Sequence, residues 1–452
     1  MLDLKDKTTL VVGLARSGVA AANFLLDQGA SVRVTDLRSG GQLEKYMARL
    51  EGRVDCTLGR HQRSDFLETD LIVLSPGVPT DIEPLQAARE AGVHIIGEIE
   101  FASHFLAGKV VGVTGANGKT TTTTLIGEMH GRAGHNVEVA GNIGRPLVDS
   151  VRCNLDQTEM RYIIELSSFQ LESIDTFRCD IALVLNLTPD HQDRYPDFQS
   201  YVEAKRRILL NQRSADIAVL NYDDPITNEM QEHARGKVCF FSRKEDLAQG
   251  VFIRDGSVFI RWGEEETELL PIDEIRLRGD HNIENVLAAT CAGFFSDVPL
   301  EVMAETARKF SGVEHRLEWV ANYNGVDYYN DSKATNVVST EKAVLSFNRP
   351  IVLIMGGLDK AGYFAQLARM VEEKVHCLIL IGEAAERIST CLEGTTLIIE
   401  AESMEEAVSI ANKNAVDGDV VILSPGCASF DMFEDFEYRG ACFKRAVSSL
   451  GE

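Results

Sequence analysis

The stretch that most constrains this chain is Gly112-Val-Thr-Gly-Ala-Asn-Gly-Lys-Thr120, set between an apolar run at residues 110–114 and a helical pattern at 121–129. A strand that turns through glycines into a helix opens an α/β unit. Its core, residues 115–120, reads Gly-x-x-Gly-Lys-Thr and resembles a phosphate-binding loop (P-loop) shortened between its glycines. Gly115 and Gly118, flanking Asn117, let backbone N–H groups turn inward around phosphate oxygens, and the helix N-terminus adds favourable partial charge. Lys119 then reaches the β- and γ-phosphates of ATP, and the Thr120 hydroxyl, followed by Thr121, binds Mg²⁺. The competing reading is a glycine turn that happens to contain Lys-Thr. The strand before it, the helix after it and the run of threonines weigh against that.

The rest of the chain alternates in the same way. Apolar runs at 9–12, 31–35, 71–74 and 93–96, with a helical pattern at 19–28, form a first stretch. Runs at 110–114, 162–165 and 181–186, ending in a helix at 281–295, form a second; runs at 350–355, 377–381 and 420–424 form a third. At 452 residues the chain is long enough for about three domains. The expected fold is therefore α/β in three domains: a Rossmann-like domain (1–98), a central P-loop ATPase domain with a mostly parallel sheet (99–312), and a Rossmann-like C-terminal domain (313–452). Two strands near the P-loop end in useful groups. Residues 161–165 close on Glu165, an acid that helps such a loop hold Mg²⁺, although a surface salt-bridge residue is an equal local reading. Leu187-Thr-Pro-Asp-His191 follows a third strand and adds His191 at the same expected sheet edge, where ligands of parallel sheets collect.

Composition removes several classes. A net charge of −24 argues against non-specific binding to nucleic acid or anionic membrane. The N-terminus shows no signal-peptide pattern, and no apolar run approaches the roughly 20 residues of a membrane helix. Nine scattered cysteines without a C-x-x-C pair suit a reducing cytoplasm and make zinc a poor candidate.

Gly13-Leu-Ala-Arg-Ser-Gly18 follows the first strand, but Ala15 replaces the middle glycine of a dinucleotide fingerprint. Asp36 ends the second strand, where such folds place an acid that accepts from a ribose or base. Gly115-Ala-Asn-Gly-Lys-Thr120, Gly141-Asn-Ile-Gly144, Glu165-Leu-Ser-Ser-Phe-Gln170, Asp190-His191-Gln-Asp-Arg-Tyr195, Tyr201-Val-Glu-Ala-Lys205, His281-Asn-Ile-Glu-Asn285, His315-Arg316, Asp331-Ser-Lys-Ala-Thr-Asn336 and Ser424-Pro-Gly-Cys-Ala-Ser429 resemble the Mur ligase family, in order and over essentially the whole chain.

The resemblance implies an ATP-dependent amide ligase of peptidoglycan precursor synthesis, working through an acyl phosphate with two Mg²⁺ ions. It is strongest to the member that adds D-glutamate to UDP-N-acetylmuramoyl-L-alanine. By the same resemblance, Thr120, Glu165, His191 and a carbamylated Lys205 hold metal, and Asn282, Arg316 and Asp331 contact ATP. Arg16, Ser17, Asp36, Leu37, Arg38, Ser75, Gly77 and Asn142 hold the UDP-sugar. Lys333, Thr335, Lys360, Ser424 and the backbone of Phe433 hold D-glutamate. On local sequence alone, Asn282 reads equally as a helix cap and Lys205 as a solvated helix lysine. The chain departs from the family at Ala116 (commonly Thr), Gly426 (usually Ala) and Tyr363 (usually Asp). A cytoplasmic monomer acting on small molecules is expected. The alternatives are another Mur-type or folylpolyglutamate-type ligase, a P-loop switch, and a dinucleotide-dependent oxidoreductase, the last opposed by Ala15.

Overall fold

A computed structural model describes residues 2–155, 157–189, 194–277, 279–359 and 362–451. The alternating apolar runs become three sheets, distributed over two compact units, Met1–Phe310 and Ser311–Glu452.

The first sheet is wholly parallel, in the order Asp55–Leu58, Ser31–Asp36, Thr8–Val12, Leu71–Leu74, His94–Gly97. Thr8–Val12 lies in its centre and is buried over its last four residues, which is why it reads as a continuous apolar run rather than an alternating one. The central sheet has nine strands. Seven of them, Val137–Gly141, Met160–Glu165, Gly108–Thr114, Ile181–Val184, Ile217–Asn221, Lys237–Ser242 and Gly250–Arg254, run parallel. Ser257–Trp262 and Glu265–Pro271 extend it antiparallel. This hairpin extension goes beyond the parallel sheet the sequence suggests; polar alternation and the Asp255-Gly256 turn mark it. The edge strand leaves Glu265, Glu266, Thr267 and Glu268 exposed.

In the unit Ser311–Glu452 the order is Glu318–Tyr323, Val326–Asn330, Val420–Leu423, Ile351–Gly356, Val375–Ile381, Leu397–Glu400. Only the first pair is antiparallel. Ile351–Gly356 and Val420–Leu423 are buried throughout and form the middle of the core. Among the described residues, no helix is long and apolar enough to cross a membrane.

Candidate active site

The phosphate loop is built by one strand, one helix and a brace. Gly108–Thr114 runs into Gly115 (φ +151°) and Gly118 (φ +83°), and the helix Lys119–Arg132 follows. Both glycines adopt backbone angles that side chains resist. A Cβ on Gly118 would also fall 2.1 Å from Asn285 Oδ1. The brace is Asn186: its carbonyl accepts from Ala116 N–H (2.8 Å), its Oδ1 accepts from Asn117 N–H (2.8 Å), and its Nδ2 donates to Asn117 O (3.2 Å). Lys119 Nζ donates to the carbonyls of Gly115 (2.8 Å) and Ala116 (2.9 Å), so the ammonium is held over the loop. The helix Asp280–Phe295 packs on the loop helix, and Asn282 Oδ1 accepts from Asn285 Nδ2 (3.2 Å).

Register carries the other groups to the same edge. Glu165 pairs with Val113, two residues before the loop begins. It is 2% exposed; Oε1 accepts from Asn142 Nδ2 (2.7 Å), while Oε2 is buried with no partner among the described residues. A buried carboxylate oxygen without a donor is unfavourable, and its chemistry fits a hard cation such as Mg²⁺. Lys205, from the helix Phe198–Arg206, is also 2% exposed. Its Nζ donates to Thr114 Oγ1 (3.3 Å) and lies 5.0 Å from the Tyr201 ring centroid. The solvated helix lysine allowed by local sequence is therefore not what forms. Thr114 in turn donates to Leu166 O (2.7 Å), tying the P-loop strand to the residue after Glu165.

All eight residues matched to the UDP-sugar line one cavity of about 660 Å³ that reaches Asn142. Asp36 does not serve it as expected. Its Oδ1 accepts from Arg38 N–H (2.8 Å) and Nε (3.0 Å), and its Oδ2 from Leu14 N–H (2.7 Å) and Arg38 Nη2 (2.7 Å). These four donors fill the carboxylate. Burial alone would raise its pKa, but Arg38 and the two N–H groups outweigh burial and hold it below the ordinary value. Asp36 thus organises the cavity wall instead of offering acceptors to a ribose. Tyr46, His61 and Gln170 line the same cavity and were not legible as site residues. A Cβ on Gly18 would fall 1.9 Å from Gly13 O, so this glycine brings helix and loop together.

Behind the cavity, Glu98 accepts from Val148 N–H (2.9 Å) through Oε1, while Oε2 is buried without a partner among the described residues. Burial pushes its pKa up to about 7. Glu100 is the opposite case. Burial raises it, but the Thr176 hydroxyl and the N–H groups of Asp175, Thr176 and Phe177 outweigh that and lower it.

In the second unit, His315 (φ +64°) and Leu317 (φ +43°) bracket Arg316 in left-handed backbone, a strained presentation. Asn330 Nδ2 bonds both His315 Nδ1 (2.9 Å) and Glu318 Oε2 (3.0 Å), and Lys333 N–H donates to His315 O (3.0 Å). Asp331 accepts from Ser424 Oγ (2.8 Å) and Leu317 N–H (3.2 Å), and burial pushes its pKa up to about 7. Two expectations change here. The Ser424 hydroxyl proton goes to Asp331, and the Phe433 N–H donates to Ser429 O (2.8 Å), so neither donor is open to a carboxylate. Ser429 is buried, and its N–H has no partner among the described residues. Lys333 and Thr335 are half-buried on the loop after Val326–Asn330. His191 and Lys360 lie outside the described residues.

Comparisons with known proteins cover the whole chain. Residues 7–97 match the family model described as Mur ligase MurD-like, N-terminal domain, residues 113–293 the Mur ligase middle domain, and residues 315–427 the Mur ligase, glutamate ligase domain. A UDP-N-acetylmuramoylalanine–D-glutamate ligase of Geobacter metallireducens is 47% identical over 451 residues, covering 100% of this chain and 99% of that protein. The enzyme of the same name from Koribacter versatilis is 43% identical over 452 residues, again covering 100% and 99%. Among solved structures, a UDP-N-acetylmuramate-alanine ligase from Thermotoga maritima superposes with a TM-score of 0.58 at 17% identity, over 98% of this chain and 99% of that one, a likeness of fold. With relatives this similar from end to end, the chain belongs to the Mur ligase family.

Proposed function

We propose that this chain joins D-glutamate to UDP-N-acetylmuramoyl-L-alanine, cleaving ATP to ADP and phosphate, in peptidoglycan precursor synthesis. The observation that carries the reading is the meeting of the P-loop, the partnerless Glu165 oxygen and the buried Lys205 at one sheet edge, in a chain whose full-length relatives bear that ligase's name.

In this reading the substrate carboxylate attacks the γ-phosphorus and ADP departs. The amine of D-glutamate then attacks the acyl phosphate, forms the amide, loses a proton and releases phosphate. The obstacle is the approach of two anions, and preorganised positive charge lowers it. Lys119, already over the loop, turns its ammonium from the Gly115 and Ala116 carbonyls to the phosphates. The loop N–H groups hold the phosphates in line. Thr120, Glu165, His191 and Lys205 are the residues that would hold two Mg²⁺ ions, which when bound screen the phosphoryl oxygens. A neutral lysine amine that takes up CO₂ becomes an anionic oxygen ligand, which suits that ion better than an ammonium does. Arg316, Asp331 and Asn282 serve ATP. Lys333, Thr335 and Lys360, with Ser429, serve D-glutamate. The UDP-sugar occupies the cavity between the loops that follow the first strands and Asn142. The proposed boundaries are 1–98, 99–312 and 313–452, and the protein acts as a cytoplasmic monomer.

The test is phosphate release with each substrate omitted in turn. Turnover is expected only when ATP, Mg²⁺, UDP-N-acetylmuramoyl-L-alanine and D-glutamate are all present. Rapid hydrolysis of ATP alone would return the chain to the switch class.

A further inference from the structure

Arg439 is the largest fully buried side chain of the second unit, at 0% exposure in the first turn of the helix Phe436–Ser448. Its four hydrogen bonds among the described residues all go to neutral acceptors. Nε donates to Ser332 Oγ (3.0 Å), Nη2 to Ser332 O (2.8 Å), and Nη1 to the carbonyls of Cys427 (3.1 Å) and Ala428 (3.2 Å). No carboxylate contacts it among the described residues. Asp431 acts on it only through space, with its own Oδ2 accepting from Glu383 N–H (3.0 Å). Burial pulls the guanidinium down to about 10, so it remains charged at neutral pH.

Two consequences follow from ordinary peptide geometry and electrostatics. In a trans peptide the C=O and the next N–H point opposite ways. Turning the carbonyls of Ser332, Cys427 and Ala428 towards Arg439 sends the N–H groups of Lys333, Ala428 and Ser429 away from it. The first two find His315 O and Leu358 O; that of Ser429 is left as a donor. One side chain therefore fixes two loops at the C-terminal ends of Val326–Asn330 and Val420–Leu423. Fixing loops does not in itself require a charge, and burying one without a contacting counter-ion is costly. Its field, little screened at low dielectric, extends to the neighbouring loop edge.

We propose that Arg439 is a positioning and specificity-determining residue for the amino-acid substrate: it clamps the Ser332 loop to the 427–429 loop, and its charge favours an acceptor with an anionic side chain. This rests on the ligase reading above. A close approach elsewhere supports the tight packing that the clamp needs, since a Cβ on Gly357 would fall 2.2 Å from Ala428 O and 3.2 Å from Arg439 Nη1.

The test uses the full-length enzyme and its variants Arg439→Gln and Arg439→Lys, with D-glutamate and its neutral isostere D-glutamine as acceptors. For Arg439→Gln the ratio of kcat/KM for D-glutamate over D-glutamine falls by about tenfold or more, as expected for loss of a buried charge that discriminates between partners. KM for the UDP-substrate stays within about twofold, the scatter of an uninvolved site. Arg439→Lys keeps the charge and recovers the ratio, while its KM for D-glutamate stays raised because an ammonium cannot make the forked clamp. An unchanged ratio in a folded Arg439→Gln, or loss of the ratio in Arg439→Lys equal to that in Arg439→Gln, overturns the proposal. If Arg439→Gln does not fold, Arg439→Lys alone decides: a retained ratio with raised KM supports it, and a lost ratio overturns it. Absence of glutamate-dependent turnover in the unaltered enzyme fails the ligase reading itself.

Discussion

Replacing Glu98 by Gln removes a group whose protonation is tied to folding. The carboxyl is fully buried, one oxygen is bonded by Val148 N–H and the other has no partner among the described residues. Burial moves its pKa from 4.5 to about 7, with Asp149 adding to the rise and the Leu147 and Val148 N–H groups opposing it. Below pH 4.5 the group is protonated folded and unfolded, and contributes no pH dependence. Between about 4.5 and 7 the folded protein holds the proton and the unfolded chain has released it, so stability falls as pH rises. At about 1.4 kcal/mol per unit, the full displacement amounts to roughly 3 kcal/mol above pH 7, an upper value because the site relaxes when charged. Gln keeps the shape and the acceptor for Val148 and never ionises. The variant should match the parent near pH 5 and exceed it near pH 8 by several degrees in Tm, given roughly 2–4 °C per kcal/mol for a unit of this size. Calorimetry across that range reads the difference in the transition that moves. A parent–variant difference that stays constant from about pH 5 to pH 8 would refute the assignment of a displaced, folding-linked proton to Glu98.

Lys119→Ala should lower kcat by ~10²–10³-fold, the loss typical of a preorganised electrostatic contact, while the affinity for the UDP-substrate measured by calorimetry is largely retained. Asn186→Ala removes the two side-chain hydrogen bonds to Asn117, and should raise KM for ATP in steady-state assays about tenfold without changing KM for the UDP-substrate. Lys205→Ala should be nearly inactive and partly restored by a small added carboxylate; ¹³C-labelled CO₂ should give a carbamate signal in the parent that this variant lacks. Full activity in Lys205→Ala would remove Lys205 from the metal site.

The buried parallel strands were legible because burial on both faces leaves uninterrupted apolar runs, as in residues 71–74 and 420–423. The P-loop was legible because Gly115, Gly118 and Lys119 obey a local backbone requirement. What escaped depends on distant partners. Asn186 is an ordinary strand-end amide until the sheet sets it beside Ala116 and Asn117. The saturation of Asp36 by Arg38 turns on side-chain geometry that no motif encodes. The backbone N–H of Ser429 is left open among the described residues, whereas Asp331 captures the Ser424 hydroxyl across 93 residues of chain. Local sequence alone would leave Lys205 in solvent, since arginines flank it, while the helix turns it inwards as the family resemblance implied.

The antiparallel rim of the central sheet bears on how the protein behaves in concentrated solution. The strand Glu265–Pro271 has a neighbour on one side only, so its other side presents bare N–H and C=O groups. Such a margin invites a second chain to add on and propagate. Here the approaching copy would set Glu265, Glu266 and Glu268 against another acidic margin, and only Glu266 is neutralised, by Arg254 and Arg261. Like charges facing across a ladder repel. Glu265 and Glu268, which help make this strand hard to see in the sequence, thus act as gatekeepers against sheet-to-sheet polymerisation, and high salt, which screens exposed like charges, is the condition in which that guard is lowered.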